Sequence, residues 1–266
     1  MAEPPPGIPW RGPAPDRPEL PLPPGRMPLL RGGRPLKHWR WVGAFGPQTM
    51  ACAAYVRVGI VPVAWWAVWD GTVMKDRTYR RGGPVNVEPG VCRAPGIDLE
   101  LEEGPGIEVV SPHGSQYAYT HKQGGVPMRG TVAGKPFEGF GIIDDSAGYH
   151  ARRTSWQWSA GVGVARSGAR IAWNLVDGIH DDPAVSERTV WVDGKAHEVG
   201  PMRFDDGLTG VGGLQFTRLA ARTRRENVLL FSSDYEQPFG SFSGVLPVAG
   251  VLSEGWGVME RHDVRW

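Results

Sequence analysis

Residues 54–71 read AYVRVGIVPVAWWAVWDG, and their alternation decides the fold class. In an extended strand neighbouring side chains point to opposite faces, so Trp65 and Trp69 fall on one side and Trp66 on the other. The run ends in an Asp-Gly pair, which favours a tight hairpin. This stretch is therefore predicted to form β-strands that are joined by turns.

The same pattern continues towards the C-terminus. Residues 170–178 (RIAWNLVDG) alternate in the same way, and residues 189–199 (TVWVDGKAHEV) are two short runs joined by Asp193-Gly194, a strong hairpin signal. The best helix candidate, residues 219–231 (LAARTRRENVLLF), fits a strand–loop–strand interpretation about equally well. The chain is predicted to be an antiparallel all-β barrel or pair of barrels, because closure removes exposed strand edges.

The first 35 residues differ from the rest, since they hold 12 of the 25 prolines. Proline lacks an amide donor and fixes φ, so residues 1–35 are predicted to be an extended, irregular leader. Folded structure is expected to begin near Leu36. Six apolar side chains favour partial docking of the leader on the body: Ile8, Trp10, Leu20, Leu22, Leu29 and Leu30.

Composition excludes several classes of protein. The net charge of +1 argues against wholesale binding of nucleic acid or anionic membranes. No stretch approaches about 18 apolar residues, and no signal peptide is visible, so a cytoplasmic protein is expected. Cys52 and Cys92 form neither a disulfide framework nor a zinc motif, and the sequence leaves open whether they are bridged. The oligomeric state is also left open.

The first candidate site lies within residues 141–158 (GIIDDSAGYHARRTSWQW). Read as one strand, it places a histidine, an arginine and two indoles on one face, which favours a pocket wall over a plain core. Two adjacent carboxylates point to opposite faces, so only one of them can share that face. The alternative is a surface hairpin with a turn at residues 146–148. The candidates are Asp144, Asp145, His150, Arg152, Trp156 and Trp158.

A second candidate site lies within residues 174–194. Asn174 is an amide in mid-strand that needs a partner if it is buried, Asp177 ends the strand, and His180 follows in a loop. A metal is not expected in this loop, because a closed set of ligands normally comes from separate elements. A loop held by hydrogen bonds is the alternative interpretation.

The third candidate site is the C-terminal run of residues 251–266 (VLSEGWGVMERHDVRW). Period-two alternation places Trp256, Glu260 and His262 on one face, which is either a pocket wall or a barrel rim. Buried together, Glu260 and His262 would shift each other's pKa and could carry out acid–base chemistry. A surface pair of the two residues fits the pattern equally well.

Several phrases resemble a known family. They are KHWRWVGAFGP (37–47), GYHARRTSWQWSAGVG (148–163), NLVDGIHDDPAVSERTVWVDGKAHEVGPMRF (174–204), FGSFSGVLP (239–247) and EGWGVMERHDVRW (254–266). From about residue 30 to the C-terminus, the chain resembles the DUF2804 family of uncharacterised bacterial proteins. That family's description supplies no activity.

A more distant resemblance concerns the closing phrase GSFSG…GWGVME, which is similar to the end of the carotenoid 1,2-hydratase, AttH and tocopherol cyclase group. It carries over Gly255, Gly257 and Glu260. It implies two lipocalin-like (calycin-like) β units packed together, here residues 36–128 and 129–266. It also implies hydration or cyclisation of isoprenoids as a possible activity.

Twelve tryptophans suit a hydrophobic ligand or a carbocation held by cation–π attraction. The leading hypothesis is acid-catalysed hydration or cyclisation of an isoprenoid- or polyketide-like molecule. Asp144, Asp145 or His150 is the expected acid, Arg152 an electrostatic partner, and Glu260 a further catalytic candidate. Ligand-binding candidates are Trp156, Trp158, Trp173, Asn174, Asp177, His180 and Trp256. No organic or metal cofactor is implied. A non-catalytic carrier and a carbohydrate-binding protein are the alternatives.

Overall fold

The computed structural model describes residues 3–12, 16–228 and 231–266, which are built almost entirely of β-strands. The strands before residue 149 are β1 (Trp10–Arg11), β2 (Leu30–Arg31), β3 (Arg34–Pro35), β4 (Lys37–Phe45), β5 (Met50–Val58), β6 (Val61–Trp69), β7 (Met74–Tyr79), β8 (Val91–Ala94), β9 (Ile97–Leu101), β10 (Ile107–His113), β11 (Gln116–Val132) and β12 (Lys135–Gly148).

The strands after residue 152 are β13 (Arg153–Ala165), β14 (Arg170–Asp177), β15 (Thr189–Val192), β16 (Lys195–Glu198), β17 (Gly210–Val211), β18 (Leu214–Val228), β19 (Phe231–Leu246) and β20 (Gly250–Arg265). One 3-10 turn, Asp206–Leu208, lies between β16 and β17. The helix candidate at residues 219–231 therefore falls largely in strand β18, with residues 229 and 230 outside the described residues.

The strands form two large antiparallel sheets. The first sheet has the order β1-β10-β11-β12-β4-β5-β6-β7, with β9 also paired to β11 and β8 to β9. The second sheet has the order β16-β15-β14-β13-β20-β19-β18-β17, and β2 pairs with β3 alone. The all-β antiparallel prediction is confirmed. So are the hairpins at Asp70-Gly71, between β6 and β7, and at Asp193-Gly194, between β15 and β16.

The chain passes from the first sheet to the second at residues 149–152, between β12 and β13. The predicted boundary between residues 128 and 129 lies within the span of β11. The Gly124-Gly125 pair makes a β-bulge in β11, at which the register shifts between Gly124 and Val126. Gly125 has a φ of 69°, a conformation that glycine adopts readily.

Apolar side chains cover both faces of each sheet. The outer face of the first sheet packs a core that includes Val42, Ala44, Cys92, Leu99 and Met128. The outer face of the second sheet packs a core that includes Ile171, Trp173, Leu175, Phe204 and Phe242. A further core joins the two sheets and includes Phe45, Met50, Ala160, Phe239 and Val258. The sheets therefore stack face to face, and the space between them is partly filled by this shared core.

The proline-rich leader is docked where it is described. Trp10 and Leu22 are buried against Tyr117 and Tyr149, and β1 pairs with β10. Leu29 and Leu30 remain exposed. Regular pairing thus begins before Leu36, the predicted start of folded structure, although the long strands begin only with β4.

Both cysteines, Cys52 and Cys92, are buried free thiols. In residues 3–12, 16–228 and 231–266, no helix is both long enough and apolar enough to cross a membrane.

Candidate functional site

A cavity of about 960 Å³ lies between the two sheets, beside their shared core. Its walls come from both sheets and from the segments next to them. Indoles line much of it: Trp39, Trp41 and Trp65 from the first sheet, and Trp156 and Trp158 from the second. The sequence predicted an indole-lined pocket in a barrel or pair of barrels, and the indoles line a cavity between the two sheets.

Strand register places a continuous row of side chains across the first sheet. Lys122 pairs with Asp144, Asp144 with Trp41, Trp41 with Ala54, and Ala54 with Trp65. Directly paired residues of antiparallel strands project to the same face. Lys122 and Asp144 therefore stand beside two indoles on the face that meets the second sheet.

Two rows of side chains on the second sheet lie opposite this row of the first sheet. In one row, Trp158 pairs with Val176 and with Glu260. In the other, His262 pairs with Trp156 and with Tyr235. All of these side chains line the cavity, so that the second wall has a carboxyl group among aromatic rings.

A buried ion cluster lies where the first wall meets the loop before β15. Lys122 Nζ is 2.6 Å from Asp144 Oδ1 and 3.4 Å from Glu187 Oε1. Asp144 also accepts hydrogen bonds from Trp39 Nε1 and Ser146 Oγ. Lys122 and Glu187 are almost completely buried. Two carboxyl groups thus share one ammonium group away from water.

Burial and charge act in opposite directions in this cluster. Burial by itself lowers the pKa of Lys122, but Asp144 and Glu187 outweigh it and the pKa is raised. Burial raises the pKa of Glu187, and the charge of Asp144 raises it further against the opposing effect of Lys122. Glu187 Oε2 has no hydrogen-bond partner within the described ranges. The surroundings of Glu187 therefore favour its protonated form more than those of an exposed glutamate do.

Glu260 is a second buried carboxyl group in the opposite wall. It accepts hydrogen bonds from Trp156 Nε1 at 2.8 Å, from Tyr235 Oη at 2.9 Å and from Gln237 Nε2 at 2.8 Å. Burial raises its pKa, although these three donors act in the opposite direction. Glu260 is consequently held in one fixed orientation at the cavity wall.

Three histidines from separate elements meet at one end of the cavity. Ring nitrogens of His113, His150 and His180 lie within 4.8 Å of one another. Neutral imidazole is a common metal ligand, so the donor set by itself suits a transition metal. His180 Nδ1 lies 3.0 Å from Ser111 Oγ. Among the described residues, neither ring nitrogen of His150 has a hydrogen-bond partner.

The charges around the histidines oppose a metal ion. Burial lowers the pKa of His113 to about 4, and Arg34 and Lys37 lower it as well. The pKa of His150 is lowered well below its ordinary value by burial, then by the other two histidines and by Lys37. Positive charge on Arg34 and Lys37 near the cluster repels a further cation. The cluster is therefore a set of neutral imidazoles in positive surroundings.

A family model described as a domain of unknown function, DUF2804, matches residues 93–266. This chain belongs to the DUF2804 family. The match begins later than the resemblance predicted from about residue 30. It covers β9–β20 and all of the second sheet, whereas Trp39, Trp41 and Trp65 of the cavity lie before it.

Solved structures similar to this DUF2804 protein include the following three, each of which has low sequence identity to it. An AttH-like protein of Nitrosomonas europaea has 11% identity and a TM-score of 0.39, over 86% of this chain and 92% of that chain. CghA has 10% identity and a TM-score of 0.43, over 86% of this chain and 88% of that chain. Kievitone hydratase of Nectria haematococca has 11% identity and a TM-score of 0.40, over 84% of this chain and 88% of that chain. No curated protein matches the sequence.

The structure brings some of the sequence-predicted site residues together at the cavity. The lining residues among them are Asp144, His150, Arg152, Trp156, Trp158, His180 and Glu260. The stretch 141–158 is not one strand, because β12 ends at Gly148 and β13 begins at Arg153. The turn proposed at residues 146–148 is absent as well, since these residues belong to β12. Arg152, in the connecting segment, is exposed at the cavity rim.

Other predicted residues of the DUF2804 chain lie outside the cavity. Asp145 points to the other face of β12 and is paired with Arg40 at 2.6 Å. Asp177 is exposed at the end of β14. Trp256 packs against the shared core without lining the cavity.

Trp173 and Asn174 are not among the residues that line the cavity. Trp173 is fully buried in the outer core of the second sheet, where its ring meets Phe242 edge-on. Asn174 accepts a hydrogen bond from Trp158 Nε1 at 2.7 Å and donates to the Glu187 carbonyl oxygen at 2.9 Å. Asn174 therefore connects an indole of the wall to the segment that carries the buried acid.

Glu260 and His262 share the cavity-facing side of β20 but do not bond to each other. His262 Nε2 lies 2.9 Å from Ser233 Oγ, and burial lowers the pKa of His262 to about 3. Arg222 lowers it further. The pair expected from the C-terminal sequence is therefore replaced by two separate hydrogen-bond networks.

Sequence reasoning missed several cavity residues of this protein. Lys37, Trp39 and Trp41 alternate in KHWRWVGAF, a period-two signal that could have marked β4 as a cavity strand. Lys122 stands in mid-strand in β11, where a buried lysine needs a partner. Glu187 precedes β15 in a loop, and no local pattern distinguishes it from a surface glutamate.

Proposed function

We propose that this DUF2804 protein binds a hydrophobic small molecule between its two sheets and converts it by acid-catalysed hydration or cyclisation. An isoprenoid- or polyketide-like molecule has the reactive double bonds that this chemistry needs. The observation that carries the proposal is the Glu187 carboxyl group. It is buried, lines an indole-walled cavity and has one oxygen without a partner among the described residues.

Charge balance supports the assignment of Glu187 as the acid. One ammonium group, that of Lys122, serves two carboxyl groups, and it lies closer to Asp144 than to Glu187. Ionising both carboxyl groups would leave an uncompensated negative charge in a buried site, which is costly. Asp144 therefore forms the ion pair, and Glu187 retains its proton.

Glu187 acts first as an acid and then as a base in the proposed reaction. Glu187 transfers its proton to one carbon of a substrate double bond, and the other carbon becomes a cation. In hydration, water adds to that cation and the proton released by this water returns to the Glu187 carboxylate. In cyclisation, a second double bond of the substrate attacks the cation, and a proton lost from carbon returns to Glu187. The enzyme is regenerated in both cases.

The walls suit a cationic intermediate. Trp41 and Trp158 meet edge-on with ring centroids 5.1 Å apart, and both line the cavity with Trp156. Indole faces attract cations without reacting as strong bases do. Hydrogen bonds to Asn174 and Glu260 fix the orientation of Trp158 and Trp156. The rings would therefore shield the cation until water or an internal double bond reaches it.

Native mass spectrometry of the wild type and of Glu187→Gln tests this function. The wild type is expected to release product, and the variant is expected to retain substrate. In hydration the retained molecule is lighter than product by one water, and in cyclisation its mass is the same while its retention on chromatography differs. Turnover of the retained molecule should fall by about 10²–10⁴-fold in Glu187→Gln.

Glu102→Gln is the matched control, because Glu102 is exposed and paired with Arg129 on the surface. It should behave as the wild type. If Glu187→Gln and the wild type hold the same unchanged molecule, the protein is a carrier and the catalytic part of the proposal is wrong. If oligosaccharides bind and hydrophobic molecules do not, the ligand class is wrong.

A further inference from the structure

We propose that one end of the cavity binds the carboxylate group of its ligand, so that the ligand is a hydrophobic acid rather than a neutral hydrocarbon. This inference rests on the proposed function, because it names the class of molecule that the same cavity takes. It depends on three cations, Arg34, Lys37 and Arg152, which line the cavity next to His150.

Most cations of the cavity already have a carboxylate partner. Lys122 pairs with Asp144 and Glu187. Arg222 lies 3.8 Å from Asp76 Oδ1, and Arg80 and Arg224 both pair with Glu226. Each of these four cations therefore has at least one carboxylate within 4 Å.

Arg34, Lys37 and Arg152 make no ion pair with any described residue. Arg34 Nη1 donates instead to the backbone carbonyl oxygens of His113 and Tyr149. The residues outside the described ranges carry no carboxylate side chain, so none of them could supply the partner. In the described part of the chain, this end of the cavity therefore holds a cluster of positive charge that forms no ion pair with a protein carboxylate.

Lys37 makes the strongest case, since its side chain is only 1% exposed. Its ammonium group has three N–H donors. Among the described residues, their one hydrogen-bond acceptor is the His150 carbonyl oxygen at 3.4 Å, and the Trp266 ring centroid lies 4.6 Å from Nζ. A buried ammonium group without an anion is costly, and a ligand carboxylate would remove that cost.

His150 points to the same ligand group. Its side chain is 1% exposed, and both ring nitrogens lack partners in the described part of the chain. A neutral imidazole has one N–H donor, which a carboxylate oxygen can accept. The positive field of Arg34 and Lys37 repels a metal ion at these nitrogens and attracts an anion.

The rest of the cavity indicates that the anion is attached to an apolar body. Val56, Val58, Val61 and Val63 line the wall that leads from the cationic end, together with the indoles already described. A volume of about 960 Å³ is far larger than a free acetate or chloride ion requires. The geometry therefore fits a molecule with a carboxylate at one end and a long apolar chain or ring system behind it.

Binding of decanoate and decanol at pH 7 separates the contribution of the ligand's charge from that of its apolar chain. Both have the same apolar chain, and only decanoate carries the charge. The wild type should bind decanoate at least about tenfold more tightly than decanol, as measured by calorimetry. Acetate should not displace decanoate at the concentration at which decanoate saturates the protein.

Lys37→Met keeps the length of the side chain and removes its charge. It should reduce the decanoate affinity at least about tenfold and leave the decanol affinity unchanged or higher. Arg152→Gln provides a second test that does not alter a buried residue, and a several-fold loss for decanoate alone is expected. Lys195→Met is the control, because Lys195 is exposed in the β15–β16 hairpin.

Each outcome decides a separate question. Equal affinity of the wild type for decanoate and decanol would overturn the carboxylate site and leave the hydrophobic cavity intact. Displacement of decanoate by acetate at equal concentration would show a free-anion site and overturn the amphiphilic ligand. Failure of both ten-carbon probes to bind would refute the proposed binding function itself. Unchanged decanoate affinity in Lys37→Met and Arg152→Gln would refute the residues assigned here.

Discussion

The outer cores of the two sheets and the space between the sheets are built on different principles. The outer core of the second sheet is filled by apolar side chains such as Ile171, Leu175 and Phe242. The space between the sheets contains buried Lys122 and Glu187 beside an open cavity. Burying charged groups is costly, and an apolar filling is often as stable or more stable. The difference indicates that the space between the sheets serves a chemical purpose, whereas the outer cores serve stability.

The largest expected effect comes from Lys122→Met, which breaks the buried ion cluster. It leaves the Asp144 carboxylate without its ammonium partner and should lower the free energy of unfolding by about 3–5 kcal/mol. Urea denaturation measures the change. Adding Asp144→Asn to Lys122→Met should restore most of the lost stability, because no unpaired charge is then buried. If Lys122→Met alone is as stable as the wild type, water reaches the ion cluster and its charges are not buried.

A smaller contrast is expected between two tryptophans. Trp173→Ala removes an indole from a filled outer core and should cost about 3–5 kcal/mol of unfolding free energy. Trp65→Ala should cost less than half as much, since one side of Trp65 already faces the cavity. Equal losses in urea denaturation would indicate that the space beside Trp65 is filled rather than open.

Glu187→Gln should change stability in the opposite direction from the two core variants. It replaces a buried carboxyl group that lacks a full set of partners, and the protein should gain up to about 1 kcal/mol. The matched variant Glu102→Gln, at an exposed surface pair, should change the unfolding free energy by less. A clear loss of stability in Glu187→Gln would instead mean that Glu187 is an ionised structural partner of Lys122.

The smallest expected effect is a dependence on pH. Glu187 and Glu260 have pKa values raised above the ordinary value of 4.5, mainly by burial. The folded protein therefore binds more protons than the unfolded chain above pH 4.5. Their contribution to stability is fully present below pH 4.5 and is lost as the pH rises through the raised values.

Thermal unfolding across this pH range, compared between the wild type and the double variant Glu187→Gln/Glu260→Gln, measures that contribution. The stability of the wild type relative to the double variant should decrease as the pH rises from 4.5. A relative stability that increases with pH would mean that the two carboxyl groups are stabilised as anions by their neighbours.

The fold could largely be predicted from local patterns, because strands and hairpins are encoded by neighbouring residues. Alternation in residues 54–71 and the turn at Asp193-Gly194 indicate their structures directly. The boundary between the sheets could not be predicted in this way. A glycine pair such as Gly124-Gly125 fits a linker and a β-bulge equally well, and only pairing with β12 decides between them.

The site was harder to predict, because it depends on how two sheets face each other. Period two places His150 and Trp156 on one face only if the strand is continuous. Residues 149–152 interrupt the strand, yet both residues line the cavity. Glu187 is in a loop and becomes an acid candidate only through Lys122, which is 65 positions earlier in the sequence. Such a contact has no local signature.

Carbon-13 NMR of the glutamate side-chain carboxyl groups tests the central claim most directly. The Glu187 resonance is identified as the one that is missing from Glu187→Gln, and its titration is followed as the pH is raised from 3. We expect this carboxyl group to titrate above pH 4.5, the ordinary glutamate value, because it is buried and shares one ammonium group with Asp144. Titration at or below pH 4.5 would contradict the assignment of Glu187 as the acid of an enclosed cavity.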